Sequence, residues 1–352
     1  MGRYLYFSIM PAARKKSSTR LFFWVIILAI GGFGLFKVFG PATGTYTQGE
    51  FLYVHTGSDY EHLKQALKDG GFISDMRSFE LLARVAELPK HVHPGKYLIS
   101  KHMSNYNIIR LLRSGRQTPI KLVINKLRTK QDLINTIAGN LEADSLVLKQ
   151  MFSDPVYLAQ FGLDTNTVMC AIIPDTYDFY WNITADKAFK KIEKNYVRFW
   201  DNDRKKEAQD LGLSPAQVTT VASIVEEETN KADDKPKIAS VYLNRLHQGM
   251  KLQADPTVKF AVNDFTIRRI AGAMLQNTSP YNTYMYTGLP PGPICTPTES
   301  TIDAVLESPK TNYLYFCAKE DFSGYSNFAA TYDEQLRNAR LYQQALDAKN
   351  IH

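Results

Sequence analysis

An apolar segment near the N-terminus constrains this chain more than any other feature. Residues 21–36, LFFWVIILAIGGFGLF, carry no charge, and Lys37 followed by VFG lengthens the segment if its ammonium group snorkels. About twenty such residues span the roughly 30 Å hydrocarbon core of a bilayer. The segment lacks the polar face of a helix that packs on a soluble core. We therefore predict a single transmembrane anchor over residues 21–40.

Basic residues in front of this segment predict its orientation. They are Arg14, Lys15, Lys16 and Arg20. By the positive-inside rule, residues 1–20 lie in the cytoplasm and the body lies across the inner (plasma) membrane, on the periplasmic side. A cleaved signal peptide is the alternative, but no small-x-small site follows the segment and PATGTYTQ is a weak substitute.

The positive charge belongs mainly to this N-terminal region. The chain has a net charge of +7, and residues 1–40 hold six basic and no acidic residues, so the remaining 312 residues carry only +1. A nearly neutral body argues against a DNA-binding protein. With 44% hydrophobic and 22% charged residues, the body has the composition of an ordinary globular protein.

Cysteine and histidine indicate neither a disulfide framework nor a metal site. The three cysteines, Cys170, Cys295 and Cys317, are an odd number and form no Cys-x-x-Cys motif. His91 and His93 form a His-x-His pair that could bind zinc, although such pairs lie more often in solvated loops. We expect no metal and no cofactor.

The body is predicted to be α+β and to divide into residues 41–118 and 119–352. Residues 41–49 resemble a short Gly/Thr linker. The first part then follows a βααβ pattern: strand 51–54, helices HLKQALKDGGF and SFELLARVAEL, strand GKYLIS, and a further helix, NIIRLLRSG, that Gly115 ends.

The second part is predicted to be larger and mixed. Its expected elements are strand 119–124, a helix from Thr129 to Leu141, helices near 144–152 and 185–201, and a helix near 267–274. The segment IIPDTYDFYW between two of these helices is interpreted as an ordered loop because of its proline and aromatic residues.

The segment SPAQVTTVASIVEEETN predicts a helix with Ser214 as N-cap and Pro215 in its first turn. At about 100° per residue, its apolar side chains place Glu227 on the solvated side, Glu226 at the margin of the buried face and Glu228 within that face. A carboxyl at such a margin suits a cleft acid with a raised pKa. A solvated helix end is the alternative, and Glu228 is predicted to anchor a buried network.

Two later segments complete the candidate site. KPKIASVYLNRLHQG predicts a helix ending at Gly249, on whose apolar face Arg245 requires a partner. SPYNTYMYTGLPPGPICTPT combines tyrosines with glycines and prolines. Such a stiff aromatic loop suits a sugar ring, although tyrosine-rich structural turns are commoner.

Four long motifs, in order, resemble the YceG-like family of endolytic murein transglycosylases: TVASIVEEET, SVYLNRLHQGMKLQADPTV, YNTYMYTGLPPGPI and TNYLYFCAKEDFSGYSNF. The resemblance covers most of residues 50–345. It implies a membrane-anchored peptidoglycan lytic transglycosylase with a LysM-like subdomain ahead of its catalytic domain. It also implies partners: the glycan strands and, by extension, the peptidoglycan synthases of the elongation machinery.

The resemblance also implies roles for individual residues. The first Glu of the family's E-x-E-T motif falls on Glu226, which would be the catalytic acid/base, with Glu228 in support. The expected substrate-binding residues are Asn244, Arg245, Gln253, Asp255, Tyr281, Asn282, Tyr284, Gly288, Leu289, Pro290 and Asn327. The chain departs from the family in GYSNF, which lacks the family's histidine, and in Gln335, which takes the place of a further histidine.

One carboxyl suffices in such an enzyme because the C6 hydroxyl of N-acetylmuramic acid takes the place of water, whereas ordinary glycosidases use two carboxyls. The resemblance thus implies that Glu226 starts protonated, with a pKa raised by an apolar wall such as Ile224 and Val225. A catalytically silent peptidoglycan-binding scaffold and a glycan hydrolase remain the alternatives.

Overall fold

The computed structural model describes residues 18–43, 49–267 and 269–349. The basic residues Arg14, Lys15 and Lys16 and positions 44–48 of the predicted linker lie outside the described residues. The chain divides into two compact units, Met1–Thr118 and Pro119–His352, which are described separately below as the N-terminal and the C-terminal unit.

Helix α1, Ser18–Phe39, contains the predicted anchor. Its segment Arg20–Phe39 is long and apolar enough to cross a membrane, and none of it is buried in the protein. The end of α1 is held by the N-terminal unit, since the Lys37 ammonium lies 2.6 Å from the Asp75 carboxylate. The side-chain amide of Asn105 donates to the carbonyl of Lys37 at 3.1 Å.

The first residues of the predicted linker, which begins at residue 41, are bonded to the N-terminal unit. The backbone N–H of Ala42 donates to the carbonyl of Met103 at 2.9 Å, and the carbonyl of Ala42 accepts from the N–H of Ser74 at 2.9 Å. The side chain of Ala42 is buried. The chain therefore joins the N-terminal unit directly after α1.

The N-terminal unit has the predicted strand-helix-helix-strand order. Its elements are β1 Glu50–Val54, α2 Tyr60–Asp69, α3 Met76–Val85, β2 Gly95–Ile99 and α4 Asn105–Ser114. β1 and β2 pair antiparallel, with Leu52 opposite Tyr97, and both side chains are buried against α2, α3 and α4. As predicted, α4 ends at Gly115, whose φ of 64° is the left-handed conformation that glycine adopts freely.

The C-terminal unit is mixed α+β, as predicted. Its elements are β3 Ile120–Ile124, α5 Lys130–Asn140, α6 Ser145–Met151, α7 Pro155–Ala159, β4 Asp175–Phe179, α8 Ala185–Phe199, α9 Asn202–Asp210, α10 Pro215–Glu228, α11 Lys235–His247, α12 Asp255–Val262, α13 Glu299–Leu306, β5 Tyr315–Ala318, β6 Ser326–Ala329 and α14 Tyr332–Ala348.

Two local predictions are wrong. The segment interpreted as an ordered loop contains β4, which pairs antiparallel with β3 so that Tyr177 lies opposite Leu122; these alternating buried side chains fix the strand register. The predicted helix near 267–274 is replaced by a short 3₁₀ turn, Gly272–Gln276. Gly272 has a φ of 57°, which a continuous α-helix excludes.

The C-terminal unit has two hydrophobic cores. One lies between the β3–β4 pair and helices α5, α6 and α8. The other surrounds α10, where Val218, Val221 and Val225 are fully buried against α11 and α13. Helix α10 is therefore a central helix, and its C-terminal end carries the three consecutive glutamates.

Candidate active site

The three glutamates at the end of α10 lie in three different environments. The helix begins with the predicted capping residue Ser214, whose hydroxyl accepts from the N–H of Gln217 while the side chain of Gln217 accepts from Ser214. It ends before Thr229, which is extended. Consecutive helical residues point about 100° apart, so each glutamate meets a different neighbour.

Glu226 is an ionised, paired carboxylate. Its side chain is 12% exposed and lies 3.0 Å from the Lys235 ammonium, and it accepts hydrogen bonds from Thr298, at 3.1 Å, and Thr301. Burial acts to raise the pKa of Glu226, but the hydrogen bonds from Thr301 and Lys235 outweigh it and the pKa is lowered. The prediction of a raised pKa at this position is wrong.

Glu227 is not solvated, contrary to prediction. Its side chain is only 15% exposed and forms ion pairs with Lys126 at 2.9 Å and Arg128 at 3.0 Å. Burial acts to raise its pKa, but the bonds from the two cations prevail and the pKa is lowered. The segment between β3 and α5 thus covers the outer side of α10. Because this segment is about a hundred positions earlier in the chain, the helical periodicity of α10 cannot predict that it covers Glu227.

Glu228 points inward, as predicted. Its Oε1 accepts a hydrogen bond of 2.6 Å from the Tyr242 hydroxyl. It forms no ion pair within the described part of the chain, unlike its two neighbours. Burial is the largest influence and raises the pKa of Glu228 to about 7; the Tyr242 hydrogen bond opposes this rise and the charge of Asp255 adds to it. Glu228 can therefore exist as a neutral acid close to neutral pH.

Glu228 lines a cavity of about 250 Å³. The other lining residues are Tyr242, Arg245, Leu252, Gln253, Asp255, Tyr315, Phe316 and Gln335. Three predicted binding residues, Arg245, Gln253 and Asp255, are thus brought together with Glu228. A fourth, Tyr284, donates its hydroxyl proton to Asp255 Oδ1 at 2.7 Å. Glu226 is absent from this lining.

Two predicted binding residues on α11 hold backbone in place. Nδ2 of Asn244 donates to the carbonyls of Thr311 and Tyr313, each at 2.9 Å. Nε of Arg245 donates to the carbonyl of Leu314 at 2.7 Å, and its guanidinium also donates to the carbonyl of Leu252 at 2.7 Å. Arg245, which is 8% exposed, thus finds its partners in carbonyls and fixes two walls of the cavity.

The tyrosine-rich loop is built largely as a structural turn. Asn282 is fully buried, and its amide donates to the carbonyls of Leu275 and Asn277 while its oxygen accepts from the N–H of Tyr284. This side chain bonds within the loop, and its burial keeps it out of reach of a ligand. Tyr281 packs on Phe260, with ring centroids 4.6 Å apart. The turn therefore serves to position Tyr284.

The remaining predicted binding residues lie outside the lining of the Glu228 cavity. They are Gly288, Leu289, Pro290 and Asn327. Pro290 is buried, Gly288 has a φ of 84° that favours glycine, and Asn327 on β6 donates to Glu320 at 2.9 Å. Their roles in substrate binding remain predictions.

Five residues of the cavity lining were not among the predicted site residues: Tyr242, Leu252, Tyr315, Phe316 and Gln335. Tyr242 is buried on α11, and helical spacing does not show that its hydroxyl meets Glu228. Gln335 on α14 donates to the carbonyl of Phe316 at 3.2 Å, and its buried oxygen has no partner in the described structure. The available signal for Gln335 was that it replaces a family histidine.

The described residues contain no cluster of three or more His, Cys, Asp or Glu side chains that could hold a metal ion. Of the predicted His-x-His pair, His91 places its Nδ1 3.0 Å from the carbonyl of Glu87. The chemistry available at the Glu228 cavity is therefore that of carboxyl, hydroxyl, amide and guanidinium groups.

Comparison with known proteins agrees with this α+β architecture. The chain is 30% identical over 319 residues to an endolytic murein transglycosylase of Bacillus subtilis, covering 85% of this chain and 86% of that protein. It is 24% identical to an endolytic murein transglycosylase of Streptococcus pneumoniae, covering 74% of this chain and 53% of the relative. A crystal structure from Listeria monocytogenes, described as that of a YceG-like protein, superposes with a TM-score of 0.54 at 27% identity, covering 82% of this chain and 98% of the other.

These similarities define a class of α+β proteins whose curated members are named murein transglycosylases. The YceG-like family profile matches residues 52–341. The chain belongs to the YceG-like family.

Proposed function

We propose that this protein is a membrane-anchored endolytic murein transglycosylase that uses Glu228 as its acid/base. The substrate would be peptidoglycan, cut between N-acetylmuramic acid and N-acetylglucosamine to leave 1,6-anhydro ends. The observation that carries the assignment of Glu228 is its half-buried carboxyl, which forms no ion pair with the described residues, lines a polar cavity and has a pKa of about 7. The names of the relatives support the activity.

The proposed reaction needs one proton donor that later becomes a base. Neutral Glu228 donates its proton to the glycosidic oxygen, and the bond from that oxygen to C1 breaks. The resulting carboxylate accepts the proton of the C6 hydroxyl as the hydroxyl oxygen bonds to C1. The Tyr242 hydroxyl, 2.6 Å from the carboxyl, stabilises the carboxylate in the interval. The carboxyl ends protonated, ready for another cycle.

Glu226 is the second candidate for the acid, since the sequence motif points to it. Its ion pair with Lys235 and its bonds from Thr298 and Thr301 favour the carboxylate, which cannot donate a proton. In this proposal Glu226 joins the end of α10 to α11 and α13. A structural role of this kind also suits the position of its carboxylate outside the lining of the cavity.

The wider setting of the enzyme is also part of the proposal. Helix α1 would span the membrane once with the catalytic unit on the far side, periplasmic in a cell with two membranes. The N-terminal unit would act as a LysM-like module on the glycan strand. The peptidoglycan synthases of the elongation machinery would be neighbours. The exposed, apolar α1 supports the anchor.

A product analysis tests the activity. The full chain in detergent, incubated with purified peptidoglycan, should release fragments with 1,6-anhydro ends, seen by mass spectrometry as one water lighter than fragments with reducing ends. Fragments with reducing ends would instead identify a hydrolase. A chain that binds the strands and releases no fragment would be a scaffold.

The pH dependence of the reaction rate should follow the protonation state of Glu228. Because the neutral acid starts the reaction, we expect kcat/KM to fall about tenfold per pH unit above pH of about 7. Tyr242→Phe removes a hydrogen bond that lowers the pKa of Glu228, so the alkaline limb should move to higher pH. Tyr157→Phe, which removes a hydroxyl bonded to Asp186, is the control and should leave the limb unchanged. A limb that does not move in Tyr242→Phe would contradict the assignment.

A further inference from the structure

The N-terminal unit contains a second cavity, of about 380 Å³. It is lined by Ala86, Tyr106, Ile109, Arg110, Arg113 and Ser114. Five of these residues belong to α4, and Ala86 directly follows α3. The cavity therefore combines two guanidinium groups with an aromatic ring and aliphatic side chains.

The two arginines are exposed and have no partner among the residues that the structure describes. Neither Arg110 nor Arg113 forms a hydrogen bond or an ion pair with the described residues, and no acidic residue lines the cavity. Residues 100–118 contain four basic residues, Lys101, Arg110, Arg113 and Arg116, and no acidic residue. Two unpaired guanidinium groups three residues apart on one helix face suit an anion with several oxygens, such as a phosphate.

The position of α4 places this cavity next to the end of α1. Asn105, the first residue of α4, caps the carbonyl of Lys37, and the ring of Tyr106 lies 5.4 Å from that of Phe39. Arg110 follows Asn105 by five residues, a rise of at most about 8 Å. The headgroup layer of a bilayer is about 5–8 Å deep on each side, so Arg110 lies within reach of it if α1 spans the membrane.

We propose that this cavity binds the phosphate headgroup of an anionic lipid in the membrane that α1 crosses. The inference rests on the proposed membrane placement of α1. Arg110 and Arg113 contact the phosphate, and Tyr106, which is 46% exposed, occupies the interfacial depth where tyrosine is enriched. The attraction adds to the anchor because basic groups near an anionic leaflet gain free energy from it.

The test uses the full chain in detergent, with phosphatidylglycerol or phosphatidylcholine added, and native mass spectrometry to count the retained lipids. Wild-type protein should retain phosphatidylglycerol at least about fivefold better than phosphatidylcholine. In Arg110→Gln/Arg113→Gln this preference should vanish. Arg337→Gln/Arg340→Gln is the matched control, since it removes two exposed arginines at the same spacing on α14, and it should keep the wild-type preference.

Three results would overturn the proposal: equal retention of both lipids by the wild type, an unchanged preference in the Arg110/Arg113 variant, or an equal loss in the control. Inorganic phosphate is added in a parallel arm, and its binding at the same concentration as the lipid would identify a soluble phosphate site instead. Product release from peptidoglycan is measured on the same samples. Its absence alongside a retained lipid preference would refute the proposed activity and leave the lipid site standing.

Discussion

Glu228→Gln should lower the release of anhydro fragments by about 10³-fold, the loss expected when a general acid is removed. Gln keeps the shape of the side chain and can still accept the Tyr242 hydrogen bond, but it has no proton to donate to the glycosidic oxygen. Glu226→Gln should keep the rate within about tenfold of wild type. Fragment release is measured by chromatography and mass spectrometry on purified peptidoglycan.

A stability measurement separates lost chemistry from lost folding. Burial raises the pKa of Glu228 from 4.5 to about 7, so the folded chain binds this proton more tightly than the unfolded chain does. Folding is therefore disfavoured by this carboxyl as the pH rises through that interval. At pH of about 9, Glu228→Gln should be more stable than wild type, by at most about 3 kcal/mol.

The opposite mutational result would identify Glu226 as the catalytic acid. If Glu226→Gln lost about 10³-fold in fragment release while remaining folded, and Glu228→Gln kept its activity, the carboxyl in the cavity would not be the proton donor. Thermal unfolding followed by circular dichroism establishes that each variant is folded before its rate is compared.

Arg245→Ala should destabilise the C-terminal unit by about 4 kcal/mol. The substitution leaves the buried carbonyl of Leu252 and the partly buried carbonyl of Leu314 without their donors. It also opens a void beneath Tyr315, whose ring lies 5.3 Å from the guanidinium. Denaturant unfolding at neutral pH measures the free energy of unfolding.

Arg245→Lys and Arg337→Ala serve as controls for this prediction. Lysine keeps the positive charge but cannot donate in the directions that the two carbonyls require, so we expect an intermediate loss. Arg337 is exposed on α14, and its loss should change the free energy of unfolding by less than about 0.5 kcal/mol. A cost below about 1 kcal/mol for Arg245→Ala would show that Arg245 does not hold the cavity walls.

Local sequence signals predicted most helices and strands because their causes are local. Ser214 caps α10 in the structure as its position before Pro215 predicts, and Gly115 ends α4. The strand β4 was missed because its stability depends on pairing with β3, some fifty residues earlier. The strand propensity of one segment does not show which distant strand it pairs with.

In the candidate site, too, the sequence predicted what has a local cause and missed the contacts with distant residues. Helical spacing predicted correctly that Glu228 points inward. It could not predict that Lys235 pairs with Glu226 or that Lys126 and Arg128 pair with Glu227. Those contacts depend on the path that the chain takes between these residues and α10. The protonation of each glutamate follows from its partners, so the proposal of Glu228 as the acid rests on the fold and could not be made from the sequence.

The attachment of α1 to the N-terminal unit would set the distance of this unit from the membrane that α1 is proposed to span. A flexible linker of nine residues has a root-mean-square end-to-end distance of about 16 Å, so the distance between the unit and the end of α1 would vary on that scale. If α1 spans a membrane as proposed, the bonds of Lys37 and Ala42 to the unit would keep the unit at a nearly constant distance from the lipid. In that case the unit would meet its proposed glycan strands only within a thin layer parallel to the membrane.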